Sequence, residues 1–110
     1  MSLQLGEIKG KKLLDLGCGA GEAAVYFAKN GADVTATDIS AQMLDLVQHV
    51  SKRHGVEVKT IKSFSHHIEV LDNTYDIVYA ANLLHHVDLD RTLAEITRVL
   101  KKGGIWQDEK

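Results

Sequence analysis

The stretch "LLDLGCGAG", residues 13–21, is an apolar run that ends in a turn with glycines at 17, 19 and 21. One carboxylate, Asp15, stands at the mouth of that turn. Gly17 and Gly19 allow a sharp reversal and let a ligand touch bare main chain, while Gly21 allows the following helix to pack close to the strand. Dinucleotide sites use such turns too, and a tight turn with no ligand is the competing reading. The stretch alone does not decide between them.

On either side, short apolar runs alternate with longer segments of helical period. Lys12–Leu16, Asp33–Thr37, Val56–Ile61 and Tyr75–Ala80 read as strands, and Gly21–Asn30 as a helix closed by Gly31. Ser40 is placed to cap a helix with Met43, Leu46, Val47 and Val50 on one face, ending in Lys52, Arg53 and His54 before Gly55. A last helix spans about Leu89 to Lys101, with Leu89, Leu93, Ile96 and Leu100 on one face. It is expected to stop at Gly103-Gly104, so that a fifth strand starts at Ile105-Trp106. Residues 62–74 fit no element and read as loop or short helix. Strand–helix alternation of this kind predicts an α/β fold: an open parallel sheet of about five strands with helices on both faces.

The chain has 110 residues, 45% apolar content and a net charge of −2, which suits one domain spanning 1–110. No basic field would attract nucleic acid, and no segment is long enough to span a membrane. The first ten residues lack the apolar run of a signal peptide. A lone cysteine, Cys18, excludes an internal disulfide and suits a reducing compartment, so the expected location is the cytoplasm.

Two acids narrow the choice of ligand. Asp38 ends the second strand, where a carboxylate can accept both hydroxyls of an adenosine ribose. NAD and S-adenosylmethionine would both use it. Asp15 separates them: it would repel an anionic pyrophosphate and attract an ammonium and a sulfonium. The G-x-G-x-G spacing also falls one residue short of the dinucleotide pattern. The balance favours the sulfonium cofactor, with an NAD-dependent oxidoreductase as an alternative.

At this point the sequence resembles the class I S-adenosylmethionine-dependent methyltransferases, from about Lys11 to Ile105. The likeness rests on "LLDLGCGAG" (13–21), "VTATDIS" (34–40), "YDIVYAANLLHHV" (75–87) and "LAEITRVLKKGG" (93–104), in the family's order. It implies a Rossmann-like fold in which Gly17, Cys18, Gly19 and Gly21 line the methionine end of the cofactor. Asp15 would hold the amino group, Asp38 the ribose, and Ile39 and Met43 the flanks of the adenine. Ala81 and Asn82 would meet the methionine part through main chain. An acid that often follows the third strand in the family, and binds the adenine amino group, is missing; Ser63 and Phe64 stand nearest. Lysine, Lys102, replaces a frequent proline. The family's C-terminal helix and antiparallel strand pair have no counterpart here, so only the cofactor half is expected.

Methyl transfer needs an acceptor aligned at near-attack distance and water kept out. A base is needed only for acceptors that shed a proton. His85 is the candidate base, with His86 beside it, against a packing or helix-start role. His66 and His67 do not match zinc-ligand spacing and read as solvated, and no metal site is expected. Cys18 reads as a packing residue, and Tyr75 and Asp76 as structure at the start of a strand. The resemblance points to a small-molecule methyl acceptor. A non-catalytic cofactor-binding module remains the alternative of another class. The C-terminal edge at Ile105-Trp106 would be left bare, which predicts pairing with a second copy or a frayed tail.

Overall fold

The computed structural model describes residues 5–81 and 88–109. Five parallel strands form one sheet: β1 (Lys12–Leu16), β2 (Asp33–Asp38), β3 (Lys59–Lys62), β4 (Tyr75–Ala81) and β5 (Leu100–Glu109). Their order is β3-β2-β1-β4-β5, so the chain winds outward from β1 and then returns to its other side. Direction thus reverses between β1 and β4, and in open sheets that crevice, at the carboxyl ends, is where ligands bind.

The apolar side chains divide between the two faces because successive strand residues point opposite ways. Leu13, Val34, Ala36 and Ile77 pack with Ala24 and Phe27 of α2 (Glu22–Lys29) and Val47 of α3 (Ala41–Arg53). Leu14, Leu16, Val78 and Ala80 pack with Ile96 and Val99 of α4 (Leu89–Val99). A short helix, α1 (Leu5–Ile8), adds the fully buried Ile8 to the first cluster. Ser40 caps α3 as expected, its Oγ accepting the Met43 N–H at 3.2 Å. Asp88 does the same for α4, accepting from Arg91. Asp76 fastens the amino ends of the strands: its Oδ2 accepts the Lys12 N–H at 2.9 Å, and Lys101 lies 3.4 Å from Oδ1.

Four expectations need correction. The third strand begins at Lys59 rather than Val56, because the Val58 carbonyl is taken by Gln48 Nε2 from α3 at 2.8 Å. On α3 the inward residues are Leu44, Val47 and Ser51, while Met43 and Leu46 are exposed. Ser51 fills an inward position by donating to the Val47 carbonyl at 2.7 Å. The last helix ends at Val99, and its inward residues are Thr92, Ile96 and Val99, with Leu89 and Leu93 only partly buried. Gly103 and Gly104 lie inside β5, where Gly103 has φ +83°. There β5 bulges: Tyr75 pairs with Leu100, yet Ile77 pairs with Ile105.

Candidate functional site

The turn after β1 is bolted to the end of β2 by main-chain donors. Cys18 N–H bonds to the Thr37 carbonyl at 2.8 Å, and Gly17 N–H to Thr37 Oγ1 at 3.4 Å. Gly19 N–H reaches Asp38 Oδ2 at 3.1 Å, and the other oxygen of Asp38 accepts from Ser40 N–H at 2.9 Å. Gly17 and Gly19 adopt φ of +72° and +54°, and a Cβ on either would meet no atom within 4 Å. The turn therefore requires glycine for its backbone angles and leaves open space above its main chain. Gly21 differs. Its φ is +84°, and a Cβ there would lie 2.6 Å from Val47 Cγ2. It permits close packing of α2 on α3, rather than on the strand as the sequence suggested.

Asp15 sits beneath this turn, 2% exposed, with Oδ2 lacking any hydrogen-bond partner among the described residues. Burial lifts its carboxyl from an ordinary 3.8 to about 7. The Asp38 charge adds to the rise, and the Ala24 amide of α2 opposes it. A buried carboxylate with an unused oxygen is costly unless a partner arrives. Cys18 is half-buried, and its thiol is pushed up to about 12 by burial first, then by Asp15 and Asp38. It stays protonated and inert as a nucleophile.

Next to Asp38 lies a cavity of about 230 Å³ lined by Ile39, Lys62, Ser63, Phe64 and Glu69. Ile39 and Phe64 expose 60% and 55% of their surface to it and to solvent, an apolar pair suited to a flat ring. The Phe64 ring lies 5.1 Å from that of His66. Met43 is exposed but is not on this wall. The Ser63 hydroxyl is wholly engaged: it faces the carbonyls of Phe64 (3.2 Å) and His67 (3.0 Å) as donor and accepts the Glu69 N–H at 3.1 Å. Glu69 is the only carboxylate on the wall among the described residues, with His67 Nε2 3.3 Å away. Sequence reading missed it, since it lies well past the strand that carries the acid in the family; only the fold of 63–69 brings it back. Ala81 ends β4 one step beyond Ala80, the partner of Leu16. Asn82 and His85 lie outside the described residues. Asp15, Gly17, Cys18, Gly19 and Asp38 thus cluster at the carboxyl ends of β1 and β2, and Ile39, Ser63 and Phe64 line the cavity that begins next to Asp38. Among the described residues, no three His, Cys, Asp or Glu side chains converge as a metal-ligand set.

Comparison with known proteins agrees with this geometry. Residues 14–106 match the family model described as a methyltransferase domain, and the chain belongs to that family. A ubiquinone biosynthesis O-methyltransferase of Pectobacterium carotovorum is 34% identical over 97 residues, covering 86% of this chain and 41% of that protein. Methyltransferase GfsG of Streptomyces halstedii is 31% identical over 99 residues, with coverage of 86% and 36%. The crystal structure of a SAM-dependent methyltransferase from Aquifex aeolicus superposes with a TM-score of 0.79 at 28% identity, covering 88% of this chain and 54% of that one. The chain thus spans about two-fifths of the length of the curated relatives it matches.

Proposed function

We propose that this chain forms the cofactor-binding part of a cytoplasmic S-adenosylmethionine-dependent methyltransferase whose acceptor is a small molecule. The observation that carries the reading is Asp15: a buried carboxylate, one oxygen unpartnered, beneath a turn whose main chain is open. An ammonium completes that site, whereas a pyrophosphate would add repulsion to a carboxylate already costly to ionise. The cofactor, when bound, supplies a methyl group activated by its sulfonium. The residues of this chain hold and orient. Gly17, Cys18, Gly19 and Gly21 carry the turn at the methionine end, Ala81 at the end of β4 and the following Asn82 are assigned to the methionine part, and Asp38 takes the ribose hydroxyls. Ile39 and Phe64 bracket the base, with Met43 outside them. Ser63, its hydroxyl already engaged, shapes that wall, and Glu69 faces the exocyclic amine. His85 is the group proposed to take a proton from an acceptor that must shed one. The O-methyltransferase likeness supports a small-molecule acceptor.

Calorimetry with S-adenosylhomocysteine and with NAD tests the reading directly. Binding of the first and not the second is expected, and the reverse overturns it. Asp38→Ala should weaken S-adenosylhomocysteine by about 1–3 kcal/mol, the cost of stranding polar groups that had a charged partner. Undiminished affinity would remove Asp38 from the ribose site.

A further inference from the structure

Arg98 stands on α4, across the sheet from α2 and α3, but its guanidinium is directed at the segment that walls the base cavity. All five of its N–H groups are used. Nε donates to Glu95 Oε2 at 2.7 Å, Nη1 to the Val70 carbonyl (2.9 Å) and Asp72 Oδ1 (2.7 Å), and Nη2 to the Ile68 carbonyl (2.8 Å) and Glu95 Oε1 (3.0 Å). Glu95 Oε1 also accepts the Ile68 N–H at 2.8 Å. Ile68 is therefore gripped by both its amide and its carbonyl and is 2% exposed. The next residue is Glu69, whose N–H is held by Ser63 Oγ, and the Ser63 N–H bonds in turn to the Asp38 carbonyl at 3.1 Å. Hydrogen bonds joined through the Ile68–Glu69 peptide link and Ser63 thus connect α4 to the end of β2. The paired charges reinforce it: the hydrogen bond from Arg98 holds the Glu95 carboxyl below its usual range, and Glu95 raises the Arg98 guanidinium.

We propose that Arg98 is a positioning residue for base recognition: by fixing Ile68 it sets Glu69 and Phe64 on the wall of the base cavity, and so determines how well adenine is told from other bases. The proposal rests on the cofactor reading above. A planar fork with all five donors engaged fixes a segment in a way that a single ammonium cannot. A role confined to fold stability would lower affinity for every ligand alike. A positioning role changes the ratio between bases.

The test compares S-adenosylhomocysteine with S-inosylhomocysteine, in which an oxygen replaces the amine of the base, by calorimetry on the whole chain. The parent should prefer the adenine compound by about tenfold, the scale of one hydrogen bond to a charged group. In Arg98→Ala that ratio should fall toward one while binding of both compounds persists through the turn and Asp38. Arg98→Lys should fall between. If circular dichroism shows Arg98→Ala unfolded, Glu95→Gln carries the test. It keeps one acceptor oxygen, and should lower the ratio in part and speed hydrogen exchange at the Ile68 amide. A folded variant that keeps the full preference overturns the proposal, as does a parent with no preference. A parent that binds neither compound instead overturns the cofactor reading itself.

Discussion

Asp15→Asn should stabilise the ligand-free domain at pH 8 and at the same time remove most of its affinity for S-adenosylhomocysteine. The sign follows from the direction of the shift. The folded carboxyl titrates near 7 and the unfolded one near 3.8, so between those values the folded state holds the extra proton. The contribution of this group to stability is complete below about pH 4, declines as pH rises and is gone above pH 7. Three units of separation correspond to about 4 kcal/mol, of which an uncharged amide should recover about half or more, since it too needs hydrogen bonds. Urea unfolding at pH 5 and pH 8 measures it: the parent should lose stability across that interval relative to Asp15→Asn. Equal profiles would show that Asp15 ionises without cost. Binding must run the other way, because an ammonium draws the carboxylate into its charged form. Ligand uptake near pH 6 should therefore release a proton, seen as a buffer-dependent heat.

The second large effect belongs to Gly21→Ala. The new methyl would lie 2.6 Å from Val47 Cγ2 in a backbone at φ +84°. Left-handed backbone costs about 1–2 kcal/mol for a residue with a Cβ, and overfilling a packed contact costs about 1–3 more. A total of about 2–5 kcal/mol would unfold a substantial share of so small a domain. Trimming the obstruction with Val47→Ala should make the double variant less unstable than the two losses summed. Strict additivity would show that α2 and α3 do not clash there. Gly19→Val is the counterpart, since nothing stands within 4 Å of its would-be Cβ. It should leave the helices formed and block the ligand.

The difference between those two glycines was beyond the sequence, in which they are simply two glycines two residues apart. What could be read was whatever depends on neighbours along the chain: the apolar run of β1, the Ser40 cap and the order of strands. The errors arose where a distant residue intervenes. Gln48 takes the Val58 carbonyl and delays β3, and α3 packs through Leu44, Val47 and a self-satisfied Ser51, so that Met43 and Leu46 face outward. Gly103-Gly104 looked like a helix stop, but pairing of β5 with β4 continues past a bulge to Glu109. The site divides similarly. The positions of Asp15 and Asp38 were legible because they lie at the carboxyl ends of strands, whereas Glu69 and Arg98 acquire their places only when 63–72 folds against α4.

Asp38 is anchored by the chain itself, one oxygen on Gly19 N–H and the other on Ser40 N–H. Its rotamer, the turn and the start of α3 are frozen together during folding. Ribose hydroxyls would meet an acceptor that has no disorder left to lose, and each oxygen has a further lone pair to offer. The entropy of building the site is thus charged to folding rather than to association, which favours fast capture and modest ordering on binding. The same anchoring builds the shape of the ligand into the fold itself.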